Sequence, residues 1–295
     1  MNSTKVHSVS SLSEFIQFTE KLPQLAQNLF SQERYYFRGQ EDDNFKLLPS
    51  LARYKRGGDG DLFTEEASMI ELCKFKMPEI FTDELSPVDL LAMLQHYGIP
   101  TRLMDVTSNP LVALYFACCA SPDKDGEVVI FRNEQRNNLP TPLEQAIAES
   151  YHFVFTCTFL QDFYEKLKVQ PYAREYTVRF SNLSIDGAVK WIREVCESPI
   201  FVQSKFLAQR QRLQQGSYIL FPNYVDVCAF KAIIEPLSKE HESIEMIIKI
   251  PHAAKTSIQK SLSLCGISEA TLFADSPDVV CKNIRQEFYE GYHKF

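Results

Sequence analysis

The sequence predicts an α+β protein with a small mixed or antiparallel sheet and flanking helices. Helical and strand-like patterns of apolar residues are interspersed along the chain, which is typical of this class. The chain has 295 residues, of which 45% are hydrophobic, so it can bury a large core. The chain is long enough for one elaborated domain or two small ones, and it shows neither an internal repeat nor a low-complexity tract.

The N-terminal region, residues 1–30, is predicted to be helical. Phe15, Phe18 and Leu22 share one face of a helix over residues 9–30, and Ser11 is a candidate N-cap. The other predicted elements are, in chain order, a strand at 35–37, a helix at 59–76, a helix starting at Pro87, a short strand or extended turn at 101–106, a helix starting at Pro110 and a strand at 127–131. A mostly helical insertion at 133–210 follows, with helical stretches at 153–164 and 188–196, and after it come a strand at 217–221, a strand at 245–250 and a helix after Pro251.

A first polar cluster lies between two apolar segments, from Leu90 to Cys119. Gly98 and Pro100 predict the end of one helix, and Asn109 followed by Pro110 predicts the start of the next. Asp105, Thr107 and Ser108 would then lie close to a helix N-terminus, where free N–H groups favour an anion. The alternative is that these residues are local capping groups, which are common at helix starts.

Two further clusters place arginines and amides beside a glycine. Arg38, Gly39 and Gln40 follow an aromatic strand, and the guanidinium could bind a phosphate or carboxylate while the glycine lets a ligand approach. The alternative pairs Arg38 with a structural acid such as Asp105. A compact turn nearby adds a further cation, Arg53. The third cluster, residues 210–221, again carries cations and amides at the start of a strand. Three such clusters favour one shared polar pocket.

These segments resemble the FRG domain family, named for its Phe-Arg-Gly signature. The resemblance implies a single FRG domain over residues 1–295, with the N-terminal helical region 1–30 and the insertion 133–210. Its motif of Gln95 to Thr107 is long, but Val106 stands where the family often has Trp. The segments that carry the resemblance are Phe37-Arg38-Gly39-Gln40, Leu48-Pro49-Ser50-Leu51, Gln95-His96-Tyr97-Gly98-Ile99-Pro100-Thr101-Arg102-Leu103-Met104-Asp105-Val106-Thr107, Asn109-Pro110-Leu111, Ala113-Leu114-Tyr115-Phe116-Ala117 and Arg212-Leu213-Gln214-Gln215-Gly216-Ser217-Tyr218.

The order of these segments is also similar to that of ADP-ribosyltransferases, which implies a core of that type and NAD as a substrate. Arg38 would hold a phosphate or ribose, and Thr107 or Ser108 would support the nicotinamide ribose. Gln215 stands where that family has its catalytic Glu, and an amide carries no charge for an oxocarbenium-like centre. Glu41 or Asp105 would have to supply that charge, or the pocket binds a nucleotide without turnover.

His96 is a candidate acid or base that Asp105 could orient, and its alternative role is to cap a helix C-terminus. The candidate catalytic residues are Asp105, His96, Glu41 and Gln215, and the candidate substrate-binding residues are Arg38, Gly39, Gln40, Thr101, Arg102, Thr107, Ser108, Arg212 and Gly216.

Composition narrows the functional classes. A net charge of −7 and a pI of about 5.5 argue against broad nucleic-acid binding, and the basic, glycine-rich stretch at 53–58 is interpreted as a surface loop. The sequence shows no secretory signal and no membrane-spanning apolar run, so a cytoplasmic location is expected. The eight cysteines lack the paired spacings of a zinc site, and we expect no metal.

Two functional classes follow from the sequence. The first is an enzyme that binds and processes NAD or a related nucleotide, in the setting of bacterial conflict or phage defence that the resemblance implies. The alternative is a non-catalytic module that senses a nucleotide or holds a protein partner. The missing late Glu favours the second class, and the density of polar groups at three element ends favours the first. NAD is therefore a candidate substrate, and the sequence assigns no cofactor.

Overall fold

A computed structural model describes residues 5–22, 27–28, 31–32, 34–53, 62–133, 140–176, 184–205, 208–222, 234–277 and 279–282. Within these residues, helices pack on both faces of a seven-stranded mixed sheet, and the two apolar layers form separate hydrophobic clusters. The coarse prediction of an α+β fold with a mixed sheet and flanking helices is confirmed.

The main sheet has the strand order β1-β9-β6-β4-β5-β8-β7. Strand β1 runs parallel to β9, and every other neighbouring pair is antiparallel. Strands β2 and β3 form a separate two-stranded pair. The strands are β1 (Lys5–Ser8), β2 (Gln27–Asn28), β3 (Ser31–Gln32), β4 (Arg34–Gln40), β5 (Leu103–Thr107), β6 (Gly126–Asn133), β7 (Ile200–Val202), β8 (Gly216–Leu220) and β9 (Ile244–Ile250).

The helices divide between the two faces because their apolar residues belong to different clusters. Phe15, Ala113 and Ile258, from α1, α4 and α9, cover one face, and Leu91 and Phe163, from α3 and α6, belong to the layer on the other. The helices are α1 (Leu12–Glu20), α2 (Glu66–Lys76), α3 (Pro87–His96), α4 (Pro110–Cys118), α5 (Pro142–Ala148), α6 (Leu160–Lys168), α7 (Ile185–Glu197), α8 (Gln209–Leu213), α9 (His252–Leu264) and α10 (Glu269–Leu272).

The sheet has its weakest strand pairing between β4 and β5. These strands share a single register pair, Phe37 with Thr107, whereas β4 pairs with β6 along its full length of seven residues. The two strands therefore diverge from this pair towards Gln40 and Asp105. The gap that this divergence creates is where the predicted polar clusters come together.

Helix α4 packs unusually close to this part of the sheet. A Cβ atom at Gly39 would overlap the carbonyl oxygen of Ala113 and lie 2.7 Å from the backbone nitrogen of Ala117. Gly126 on β6 lies in the same way against the carbonyl oxygen of Ala117. The glycine of the Phe-Arg-Gly motif is thus needed for helix packing. This corrects the expectation that the glycine lets a ligand approach, because helix backbone occupies the space that its missing side chain leaves.

The helix ends around the central polar motif follow the sequence prediction. Helix α3 begins at Pro87 after the cap Ser86, and Gly98 adopts a left-handed conformation with φ of 84°. The side chain of Asn109 caps α4 by accepting a hydrogen bond from the backbone nitrogen of Leu111. Trp191 on α7 is partly buried against the core.

Three segment predictions need correction. The N-terminal region contains strands as well as a helix, and α1 covers only Leu12–Glu20 of the predicted 9–30. The stretch 153–164 is not one helix, because a 3₁₀ turn at Val154–Thr156 precedes α6. The insertion 133–210 is mostly helical but also supplies β7 to the main sheet. Four residues of β1 and three of β7 are too few for an alternating pattern to be visible.

Some predicted segments lie outside the described residues. They include residues 54–58 of the basic, glycine-rich stretch and residues 59–61 of the predicted helix at 59–76. The remainder of that helix is a 3₁₀ turn at Leu62–Glu65 followed by α2.

Candidate functional site

A cleft of about 420 Å³ opens where β4 and β5 diverge, and parts of all three predicted clusters meet there. This volume is within the range of small-molecule sites. Its walls come from β4, β5, α3, α4, α8 and the segment after α10. The residues lining the cleft are Phe37, Arg38, Gly39, Gln40, Glu41, Phe45, Arg53, Ala92, Met93, Gln95, His96, Asp105, Val106, Thr107, Val112, Ala113, Phe116, Cys119, Ala208, Arg210, Gln211, Gln214, Gly216, Tyr218 and Phe273.

Arg38 lies in the gap between the diverging strands. Its Nη1 atom donates a 2.6 Å hydrogen bond to the backbone carbonyl of Asp105, so it bridges β4 and β5 where their ladder is absent. Its Nε atom is buried and has no hydrogen-bond acceptor among the described residues. Burial, with a further contribution from the cation Arg53, lowers the pKa of Arg38 to about 10. The guanidinium is still charged at neutral pH and has hydrogen-bonding capacity left for an anion.

The carboxylate of Asp105 is held by a chain of polar side chains. Gln95 donates from Nε2 to Asp105 Oδ1 at 2.7 Å, and Thr101 donates from Oγ1 to Gln95 Oε1 at 2.6 Å. Asp105 itself is exposed at the cleft. Its neighbour across the strands is Tyr218, whose pKa is raised by burial and by the nearby Asp105. A carboxylate that is fixed on one oxygen and open to the cleft can accept a hydrogen bond or stabilise a developing positive charge.

Glu41 is the second carboxylate at the cleft, and a buried lysine fixes its backbone. Lys255 Nζ donates to the backbone carbonyls of Glu41 at 2.6 Å and Ser121 at 3.1 Å, which ties the end of β4 to α9. Cys119 also lines the cleft, and burial together with Glu41 raises the pKa of its thiol. Because the thiolate is the reactive form, Cys119 lacks the electrostatic signature of a nucleophile. Asp105 and Glu41 are therefore the stronger candidates for chemistry.

Aromatic rings line the other end of the cleft. Phe116 on α4 meets Phe273 edge-on, with ring centroids 6.2 Å apart and an interplanar angle of 82°. The guanidinium carbon of Arg210 lies 5.0 Å from the centroid of the Phe273 ring. The cleft thus combines cations with flat apolar surfaces.

Eight of the thirteen predicted site residues line this cleft, and they come from all three clusters. The residues that line it are Arg38, Gly39, Gln40, Glu41, His96, Asp105, Thr107 and Gly216. The five that do not line it are Thr101, Arg102, Ser108, Arg212 and Gln215.

Arg102 occupies the core, which corrects its placement in a ligand site. Its side chain is 0% exposed and forms a bidentate ion pair with Glu66, in which Nε donates to Oε1 at 2.9 Å. Nη1 donates to Ser150 Oγ at 3.1 Å. Thr101 is likewise buried, and it reaches the cleft only through Gln95. The sequence alone could not show that Thr101 and Arg102 are buried while Asp105 is exposed, because all three belong to the same short polar motif.

Gln215 is also placed differently from the prediction. It has a positive φ of 47° and an exposed side chain, and its carbonyl accepts a 3.2 Å hydrogen bond from the Ser108 nitrogen. The neighbouring Gln214 and Gly216 line the cleft instead. Gln215 therefore joins two loops through its backbone, and its side chain, at the position of the expected late Glu, does not line the cleft. Arg212 and Ser108 are exposed outside it.

His96 lines the cleft but is not oriented by Asp105. Within the described residues no hydrogen bond joins the two side chains, and the Asp105 carboxylate accepts from Gln95. The His96 ring instead meets Tyr97 edge-on, with centroids 5.1 Å apart. Its acid–base role stays a prediction.

Sequence reasoning missed the aromatic wall. Phe116 belongs to an apolar helix and Phe273 to a C-terminal segment, so neither carries a polar signal. Gln95 was visible beside His96, but only the geometry shows that it holds Asp105. The arginines at 53 and 210 were noted as nearby cations, and the fold brings both to the cleft.

Within the described residues, no group of three or more His, Cys, Asp or Glu side chains is arranged to hold a metal ion. Across the same ranges, no helix is both long and apolar enough to cross a bilayer.

Comparison with protein families matches residues 33–126 to the FRG domain. Neither curated proteins nor solved structures gave a match. The matched residues include the Phe-Arg-Gly motif on β4 and the polar motif that ends in β5, so they supply most of one side of the cleft. The chain therefore contains an FRG domain at residues 33–126.

Proposed function

We propose that the cleft binds NAD or a related nucleotide through its phosphate groups. The observation that carries this proposal is Arg38, whose buried Nε atom has no acceptor among the described residues and whose neighbour Arg53 is also a cation. Two like charges held at one cleft repel each other, so a bound anion would stabilise both. The shape of the guanidinium suits the paired oxygens of a phosphate.

The surroundings of Arg38 favour a nucleotide over a small inorganic anion. The cleft volume of about 420 Å³ greatly exceeds the needs of a single phosphate, and its far wall is aromatic. The carboxylate groups of Asp105 and Glu41 offer hydrogen-bond acceptors for ribose, whereas the Thr107 hydroxyl already donates to the Gln214 carbonyl at 2.7 Å. This combination of cations, acceptors and flat apolar surfaces matches the parts of a nucleotide.

Substitution of Arg38 tests the proposal. Arg38→Ala and Arg38→Lys are both expected to weaken binding of NAD and ADP by roughly 10- to 100-fold, because a hydrogen bond to a charged group contributes about 1.5–3 kcal/mol and a lysine cannot reproduce the fork. Calorimetry measures the affinity, and thermal unfolding shows whether the fold is kept. Arg132→Lys is the matched control, since this arginine lies on β6 away from the cleft.

Two outcomes would contradict the proposal. If Arg38→Lys binds as tightly as the wild type, the planar guanidinium is not the phosphate contact. If Arg38→Ala unfolds the protein while Arg38→Lys keeps both fold and affinity, the bond to the Asp105 carbonyl is the main role of the residue.

The carboxylates decide between the enzyme and the non-catalytic alternative. If the protein cleaves the nicotinamide–ribose bond of NAD, Asp105→Asn and Glu41→Gln are expected to lower turnover by roughly 100- to 1000-fold, since an oxocarbenium-like centre needs a nearby negative charge. Affinity should change far less, because a ribose hydroxyl can hydrogen-bond to an amide. NAD turnover and calorimetry separate the two effects.

Expression in a bacterial host extends this test to the proposed setting of conflict or defence. Mass spectrometry would measure cellular NAD and ADP-ribose on host proteins, with Asp105→Asn as the comparison. Binding without turnover by the wild type supports a sensor. The absence of binding to any adenine nucleotide rejects both classes and leaves a protein-interaction module.

A further inference from the structure

Three flat groups converge at the end of the cleft formed by helix α4 and the segment after α10. Phe116 and Phe273 form a corner, with ring centroids 6.2 Å apart and ring planes 82° apart. The Arg210 guanidinium covers the Phe273 ring at 5.0 Å from its centroid. All three side chains line the cleft and are only partly buried. A corner that served packing alone would have its ring faces covered by the core.

Arg210 fixes the position of Phe273 through the residues that follow it. Its Nη2 atom donates to Ser276 Oγ, and its Nε atom lies 3.5 Å from Asp275 Oδ1. Gln214 adds a 3.4 Å hydrogen bond from Nε2 to the carbonyl of Leu272. The aromatic wall is thus held in place by α8 rather than by a loop alone, which makes it a preformed surface.

The Arg210–Asp275 contact has an unusual feature. Both Nε of Arg210 and Oδ1 of Asp275 are buried and make no hydrogen bond among the described residues, although they lie 3.5 Å apart. Two buried polar atoms that do not hydrogen-bond to each other have lost their contact with water and gained no hydrogen bond in return, which is unfavourable. The pair therefore retains polar capacity directly beside the aromatic corner.

We propose that Phe116, Phe273 and Arg210 form a subsite that stacks a purine base, while Arg38 and Arg53 hold its phosphates. This inference rests on the proposed function and deepens it, because it assigns the ligand class as a nucleoside diphosphate or its dinucleotide derivative. Aromatic rings and a guanidinium plane both stack on a base. A purine has a larger ring face than a pyrimidine and can therefore cover more of this corner.

Two ligands that differ by the nucleoside test the subsite. ADP carries the base and the diphosphate, and inorganic pyrophosphate carries the diphosphate alone. Phe273→Leu and Phe116→Leu are each expected to weaken ADP binding by roughly 5- to 100-fold, and to leave pyrophosphate affinity within about twofold, because stacking concerns only the base. Phe273→Tyr should keep ADP affinity, since it keeps the ring face. Phe75→Leu is the matched control, because Phe75 is 82% exposed on α2 and away from the cleft.

The outcomes separate this inference from the proposed function. If wild-type protein binds neither ADP nor pyrophosphate, the phosphate site itself is wrong. If it binds both with equal affinity, or if Phe273→Leu weakens both ligands alike while Phe273→Tyr restores neither, the phosphate site stands and the stacking subsite is overturned. Selective loss of ADP affinity, rescued by Phe273→Tyr, supports the subsite.

Discussion

Arg102→Met is expected to lower the free energy of unfolding by about 3–5 kcal/mol, which is the usual effect of leaving a buried charge without its partner. Glu66 is 1% exposed, and its two carboxylate oxygens accept from Arg102. Removing the guanidinium also removes the hydrogen bond that Arg102 donates to Ser150 Oγ, and the cation–π contact with the Phe63 ring at 5.3 Å. The pair joins α2 to the start of β5, so its loss weakens the support of the strand that carries Asp105.

Denaturant unfolding with a matched control measures this effect. Lys74 on the same helix forms an ion pair with Asp83 at 3.3 Å, but Asp83 is 95% exposed. Lys74→Met should therefore cost no more than about 1 kcal/mol. The double variant Glu66→Met with Arg102→Met should recover much of the loss, since no buried charge is left unpaired. A cost for Arg102→Met as small as that for Lys74→Met would show that the pair is not the anchor we infer.

Gly39→Ala is expected to lower the free energy of unfolding by about 3 kcal/mol, at the upper end of the usual cost of overpacking. The added methyl group would overlap the carbonyl oxygen of Ala113 and lie 2.7 Å from the nitrogen of Ala117. These are backbone atoms of α4, so the helix has to move away from β4 as a unit. Because α4 carries Phe116 and its N-terminus adjoins Thr107, the same shift should weaken nucleotide binding.

Gly216→Ala is the control for the glycine prediction. Gly216 also lies on a strand at the cleft, but the nearest neighbour of an added Cβ atom would be the side-chain Cγ of Gln211 at 3.4 Å, which is close to an ordinary van der Waals contact. Its substitution should change stability by only about 0.5 kcal/mol in either direction. Thermal or denaturant unfolding compares the two variants. Equal effects at both positions would mean that the close approach of α4 does not decide the role of the Phe-Arg-Gly glycine.

The sequence was most informative where the physical signal is local. A proline after a serine marks the start of α3, and Asn109 before Pro110 marks the start of α4, because capping depends on residues only a few positions apart. The sequence did not predict β1 and β7, which are short edge strands that are stabilised by pairing with β9 and β8. Neither has enough residues to show a period of two.

The candidate site divides in the same way. Polar clusters beside glycines at element ends identified Arg38 and Asp105, and the cleft contains both. Local chemistry could not distinguish Asp105 from the neighbouring Arg102, since burial depends on α2 and its Glu66. Gln215 matched the expected position of a late Glu in the sequence, but in the fold it has a positive φ, and Gln214 and Gly216 line the cleft instead.

The sequence by itself determined the α+β class, the helix boundaries around the central motif and the resemblance that the FRG domain match bears out. The tertiary structure alone decided that β4 and β5 diverge after one residue pair, that Arg38 lies in the gap, and that Phe273 reaches Phe116 across more than half of the chain. The physical reason is the range of the interactions. Caps and turns are set by neighbouring residues, whereas a cleft is set by where distant elements pack closely and where they do not.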